Sequence, residues 1–273
     1  MSAITLTASM RSNLASLKAI QGQMNTTQER LSTGKKVNSA IDNASSFYQA
    51  RALNNRAADL DALLDSMGQG VQTIQAANEG IEAVTAYVEQ LKSVAQSAFA
   101  AKSGDASADV SSYVSQYKTI YAEIGKLVAD SSYQGINLLN GGSLTVTFDE
   151  GRTHNFTVQG KDIVAAMALE DGTAENFWST AAGVTTSITK IGKAIDTLRS
   201  YATELGNNFS IIETRQGFTE SLISVLETGA DDLVLADMNE ESANYLALQT
   251  RQQLAINSLA LASQSAQSVL KLF

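Results

Sequence analysis

Cysteine and proline are missing from the chain altogether, and histidine and tryptophan occur once each in 273 residues. Without cysteine there are no disulfides and no thiol chemistry. Without proline, no slow prolyl isomerisation can delay folding. The one histidine, His154, would have to serve any His-Ser-Asp triad by itself. It lies next to a turn in an expected strand and reads as a solvated strand residue. Charge is scarce too, at 17% of residues against about 25% in an ordinary soluble domain, which suits a surface covered by neighbours. The net charge of −9 excludes nucleic acid as a partner, because no basic stripe exists to displace counterions from phosphates. No run of eighteen apolar residues is present, so no membrane span or membrane insertion is expected. Met1-Ser2-Ala3-Ile4-Thr5 lacks the basic and apolar blocks of a cleaved signal. That fits the cytoplasm, and equally export by a route that cleaves nothing.

What is present is 44% hydrophobic residues on an Ala, Ser, Gln and Leu background, which favours long helices over sheet. The pattern is clearest at the two ends. Alternating steps of four and three from Leu6 give Met10, Asn13, Leu17, Ile20, Met24, Thr27 and Leu31. The same walk backwards from Phe273 gives Val269, Ala266, Ala262, Leu259, Ala255, Gln252 and Leu248. Each is a mostly apolar seam with a 3.5-residue repeat, the period at which one helix lies along another. Free termini usually fray and carry polar residues; these two are built to be buried. The polar seam positions Asn13 and Gln252 are candidates for fixing register, as buried amides do in coiled coils.

The first helix is expected over about Thr5 to Thr33, stopped by Gly34 and followed by Lys35 and Lys36, whose charges suit a helix C-terminus. Residues 38–45 read as a connector of cap and turn residues. From Leu53 the walk resumes through Ala57, Leu60, Leu64, Met67, Val71, Ile74, Asn78, Ile81, Thr85, Val88, Lys92, Ala95 and Phe99, about 70 Å of helix and the mark of a rod. Ser103 to Ser107 break it, and a third helix follows with Val110, Tyr113, Tyr117, Ile120, Ile124 and Leu127 on one face. Leu144, Val146 and Phe148, then Phe156 and Val158, alternate with polar residues around the turn Asp149-Glu150-Gly151-Arg152, a β-hairpin. Residues 163–169 fit either a strand or a helical turn. The helical walk returns over Thr185 to Glu227, a second break is expected at Thr228-Gly229-Ala230-Asp231-Asp232, and the last helix runs to the end. The fold class is therefore mainly α: a long helical rod or coiled coil with a small β-hairpin insert and paired N- and C-terminal helices.

A survey for chemistry finds no catalytic, cofactor or metal site. Asp59, Asp61 and Asp65 share a helix, and Asp231-Asp232 and Glu240-Glu241 are adjacent acids, but calcium sites normally come from loops that gather five or more oxygens. Gly68-Gln69-Gly70 lies inside a helical seam and follows no strand, so it is not a phosphate loop. The Asn-X-Ser/Thr triplets at Asn25, Asn43, Asn155 and Asn208 are what chance supplies in such a composition. No enzyme is expected.

Three stretches resemble a known family. Glu29-Arg30-Leu31-Ser32-Thr33-Gly34-Lys35-Lys36-Val37-Asn38-Ser39-Ala40-Ile41-Asp42-Asn43-Ala44 is similar to the N-terminal signature of bacterial flagellins. Gln252 to Ala255, Ala260 to Gln264 and Gln267 to Phe273 resemble the flagellin C-terminus, and Tyr133-Gln134-Gly135-Ile136-Asn137-Leu138-Leu139 resembles the segment entering the family's β region. The resemblance implies residues 1–45 as N-terminal inner-tube helix and spoke. It implies 46–227 as the outer rod domain, with its β-hairpin region at about 131–172, and 228–273 as C-terminal spoke and inner-tube helix. The seams then form the assembly interface, and Gly34, Asn38, Asp42 and Gly229 belong to the spoke. Further implications are a secreted, extracellular subunit of a flagellar filament, with itself as main partner and the export apparatus, an export chaperone, cap and junction proteins as others. Only about 45 residues separate Leu139 from Thr185, so the outer variable domains of larger flagellins are absent. Ala266 stands where many flagellins have proline, and Glu89 reverses the charge of an arginine through which an animal innate-immune receptor recognises the family, so recognition is expected to be weak. A hook–filament junction protein shares such ends but usually differs in its middle; a cytoplasmic coiled-coil scaffold accounts for the seams but not the insert.

Overall fold

A computed structural model describes residues 8–173 and 177–270. Six helices and one hairpin follow in order: α1 (Ala8–Thr33), α2 (Ala44–Gly104), α3 (Ser111–Asp130), β1 (Ser143–Thr147), β2 (Asn155–Gln159), α4 (Ile163–Met167), α5 (Ala181–Val234) and α6 (Met238–Leu270). The chain divides into two compact units, one of Met1–Arg56 with Val225–Phe273 and one of Ala57–Ser224.

The second unit holds one hydrophobic cluster. Met67, Ile74, Ile81, Val88 and Ala95 of α2 join Tyr117 and Ile124 of α3, Ile191, Leu198, Leu205 and Ile212 of α5, and Leu144, Val146 and Val158 of the hairpin. The α2 residues are every second step of the expected seam. A further row, Ala77, Val84, Leu91 and Ala98, is just as buried, because a helix surrounded on several sides buries more than one stripe. Phe99, at the end of the expected seam, is exposed instead.

The hairpin pairs Leu144 with Val158 and Val146 with Phe156 in antiparallel register. It sits against α2 at Gly70, where a Cβ would come within 2.8 Å of Val146 Cγ2. Glycine inside the helix thus admits the sheet. Residues 163–167 form helix, not strand: Asp162 Oδ1 accepts from the Ala165 amide at 3.0 Å, an N-cap. At the start of α5, the buried Trp178 donates from Nε1 to Ser187 Oγ at 2.9 Å and packs edge-on to Tyr117.

In the first unit, α1 pairs with α6. One expectation fails here: α5 does not break at residues 228–232 but runs unbroken to Val234. Gly229 is therefore helical, with Leu53 Cδ1 3.7 Å from where its Cβ would stand. A mid-helix glycine disfavours the helix by only about 1 kcal/mol, and the buried Leu226 and Ala230, with half-buried Val234, carry the apolar row across it. The break falls at residues 235–237 instead.

Candidate assembly interface

Within the first unit, the 4–3 walk of α1 falls on buried Met10, Met24 and Thr27 and on half-buried Asn13, Leu17, Ile20 and Leu31. On α6 it falls on buried Leu248 and half-buried Gln252, Ala255, Leu259 and Ala262. Leu6 and Phe273 lie outside the described residues, as do the side chains of Ala266 and Val269. The two helices run antiparallel, as their polar ties show. Arg30 Nη1 meets Glu241 Oε1 at 2.9 Å, and Gln252 Nε2 donates to Gln21 Oε1 at 2.6 Å. Gln252 thus finds its amide partner in Gln21, not in the other seam amide, Asn13. A cleft of about 740 Å³ opens between the helices, lined by Thr26, Arg30, Glu241, Leu248 and Arg251 among others.

The seams meet each other inside the chain, and this leaves a second apolar row on α6. Leu246, Leu254 and Leu261 are 64%, 63% and 68% exposed and lie roughly opposite Leu248 at 3.6 residues per turn. Leu14 of α1 is exposed as well. Sequence reasoning missed this row because a 4–3 walk follows one face only; a second walk from Leu254 to Leu261 would have found it.

Between the helices and the rest of the unit lies a backbone clasp. Gly34, at φ +71°, ends α1 in the left-handed conformation that glycine adopts freely. Its carbonyl accepts from the Ala236 amide at 2.9 Å, while the Lys36 and Val37 amides donate to the Val234 carbonyl at 2.7 and 3.2 Å. Beyond it, the Asp42 carboxylate gathers the Ser39 amide, the Ser39 hydroxyl and the Asn38 amide at 2.8, 3.0 and 3.1 Å. These bonds hold its pKa below the usual carboxylate range, the Ser39 amide contributing most. Of the four expected spoke residues, Gly34, Asn38 and Asp42 lie in or beside these bonds, and Gly229 lies in α5.

Asp59, Asp61, Asp65, Asp231, Asp232 and Glu240 are exposed, and among the described residues no group of three or more His, Cys, Asp or Glu could hold a metal ion. No described helix is long and apolar enough to cross a membrane. His154 is exposed beside Asp149, with 3.4 Å between Nδ1 and Oδ2.

The profile of the bacterial flagellin N-terminal helical region matches residues 4–143, and that of the C-terminal helical region matches residues 188–273. The chain belongs to the bacterial flagellin family. Flagellin FljK of Caulobacter vibrioides is 31% identical, with 95% of this chain and 94% of that protein aligned. A flagellin of Brucella melitensis is also 31% identical, over 100% of this chain and 99% of its own. Flagellin A of Rhizobium meliloti is 25% identical over an alignment of 399 positions that takes in all of both chains. Beside it this flagellin is a short form, and the two matched regions leave residues 144–187, with most of the hairpin and α4, between them.

Proposed function

We infer that this chain is the structural subunit of a bacterial flagellar filament, assembling with copies of itself into a helical polymer outside the cell. The observation that carries this is the two-faced α6, whose seam is taken up by α1 while Leu246, Leu254 and Leu261 face outward. A helix apolar on both sides needs neighbours on both sides. Its role is assembly, not catalysis. Residues 1–45 and 228–273 are the inner-tube helices with their spoke, and residues 46–227 are the outer domain. The seam residues hold the two terminal helices together, and Asn13 and Gln252 set their register. Isolated, such a seam is only marginally stable; burial among copies tips the balance. Before assembly the chain meets the export apparatus and an export chaperone, and at the growing filament the cap and junction proteins. A chain with neither disulfides nor prolines suits passage in an unfolded state.

Electron microscopy of the intact protein and of a form lacking residues 1–33 and 238–273 tests this. Intact protein should form long tubes and the trimmed form should stay folded and monomeric. Equal assembly by both would overturn the reading.

A further inference from the structure

Asparagine followed by glycine occurs once in the chain, at Asn140-Gly141, in the loop that enters β1. The pair opens a reaction that a chain can perform on itself. A backbone amide nitrogen can attack the side-chain carbonyl carbon of the asparagine before it. A side chain on the attacking residue hinders that approach, and glycine has none.

The two asparagines of this loop are placed in opposite ways. The Asn137 side chain is held at both ends. Its Nδ2 donates to the Val128 and Ala129 carbonyls at 2.6 and 3.2 Å, and its Oδ1 accepts from the Leu139 and Asn140 amides at 2.9 and 3.2 Å. The Asn140 side chain is exposed and has no hydrogen-bond partner among the described residues. Gly141 is exposed too, at φ +76°, and a Cβ there would meet nothing within 4 Å. The Asn140 and Gly142 amides both donate to the Asn137 carbonyl, at 3.4 and 2.9 Å, and this closure skips the Gly141 amide between them.

We propose that Asn140 is a site of spontaneous deamidation, with the Gly141 amide as nucleophile. The Gly141 nitrogen bonds to Asn140 Cγ and gives up its proton. The bond from Cγ to Nδ2 breaks, and that nitrogen leaves as ammonia. Water then opens the cyclic imide. Attack at Cγ leaves an ordinary aspartate; attack at the backbone carbonyl carbon leaves isoaspartate, whose main chain runs on through Cβ and Cγ.

Neither product suits the loop as asparagine does. Asn140 faces Asp162 across an isolated antiparallel bridge, so either product sets a carboxylate opposite the one that caps α4. Like charges directly opposite each other are destabilising. Isoaspartate also lengthens the main chain where there is no slack. A Cβ on Gly142 would come within 2.6 Å of the Asn137 carbonyl oxygen, and one on Gly160 would run into the Gly142 carbonyl. The bonds it strains close the base of the hairpin: Gly142 amide to Asn137 carbonyl, and Lys161 amide to Leu138 carbonyl at 2.8 Å. The reaction needs no second copy, so it stands whether or not the chain assembles.

Peptide mapping by mass spectrometry tests this on the intact, unassembled chain held in mildly alkaline buffer. Deamidation should accumulate at Asn140 ahead of every other asparagine, as a mixture of aspartate and isoaspartate, the latter labelled by a protein isoaspartyl methyltransferase. Asn140→Gln should abolish that species while keeping the wild-type circular dichroism. In the isoaspartate fraction the Gly142 and Lys161 amides should exchange with deuterium roughly tenfold faster, the weight of one backbone hydrogen bond. Deamidation at Asn140 only in the urea-unfolded chain, or faster at another asparagine, would overturn the proposal. Unchanged exchange in the isoaspartate fraction would overturn its effect on the hairpin.

Discussion

Arg30 on α1 and Glu241 on α6 form an ion pair with unequal surroundings: the Glu241 side chain is 10% exposed, that of Arg30 40%. Loss of the arginine leaves a nearly buried carboxylate without a partner, whereas loss of the glutamate leaves a cation that water can reach. Arg30→Ala should therefore weaken the helix pair more than Glu241→Ala, by about 1–3 kcal/mol. A double-mutant cycle on denaturant unfolding of the assembled protein should give a coupling of about 1 kcal/mol. Additive effects would mean that the pair is incidental.

Two glycines in the second unit should respond in opposite directions to alanine. At Gly80 a Cβ would stand 2.6 Å from Leu139 Cδ1 and 2.9 Å from Ser131 Cβ, so Gly80→Ala should destabilise by about 1–3 kcal/mol. At Gly125, exposed on α3 with nothing within 4 Å, alanine should stabilise by about 0.5–1 kcal/mol. Thermal melting of the two variants checks both; equal shifts would contradict the packing described.

The hairpin turn should loosen in acid. Asp149 accepts from the Thr153 hydroxyl at 2.6 Å and the His154 amide at 2.8 Å, and these bonds hold its pKa down at about 2. Unfolded, it titrates near 4. The stabilisation is therefore complete above about pH 4 and disappears as pH falls through about 2. The His154 amide resonance should move with that low midpoint, and Asp149→Asn should abolish the transition. A midpoint near 4 would show that the bonds do not favour the carboxylate.

The single tryptophan reports on the start of α5. Ser187→Ala removes the acceptor of the buried Trp178 indole N–H and should cost about 1–3 kcal/mol, read as an earlier fluorescence transition. It should also remove the Ser187 hydroxyl that donates to Glu170 Oε2 at 3.3 Å. The Lys190–Glu170 pair at 2.6 Å should remain. An unchanged transition would place the indole in contact with water.

Much of this was legible in the sequence because helix burial is periodic. The terminal walks through Met10, Met24 and Leu248, and the hairpin alternation at Leu144, Val146 and Val158, report local spacing that packing then respects. What stayed hidden depends on partners distant in sequence. Thr228 to Asp232 have the composition of a break, yet Leu226 and Ala230 are buried and hold the helix through it. The second buried row of α2, at Ala77, Val84 and Leu91, exists only because the helix is surrounded. Glu241 stood in the sequence only as one of two adjacent acids, and its partner Arg30 comes from α1, 211 residues away.

The clasp between Gly34 and Ala236, and between Lys36, Val37 and Val234, joins points about 200 residues apart. Closing a loop of that length costs on the order of 5 kcal/mol in chain entropy, and a few backbone bonds do not repay it alone. The clasp must therefore form late, after the intervening helices have condensed and drawn its two sides together. Whichever end of the chain emerges first has to wait for the other.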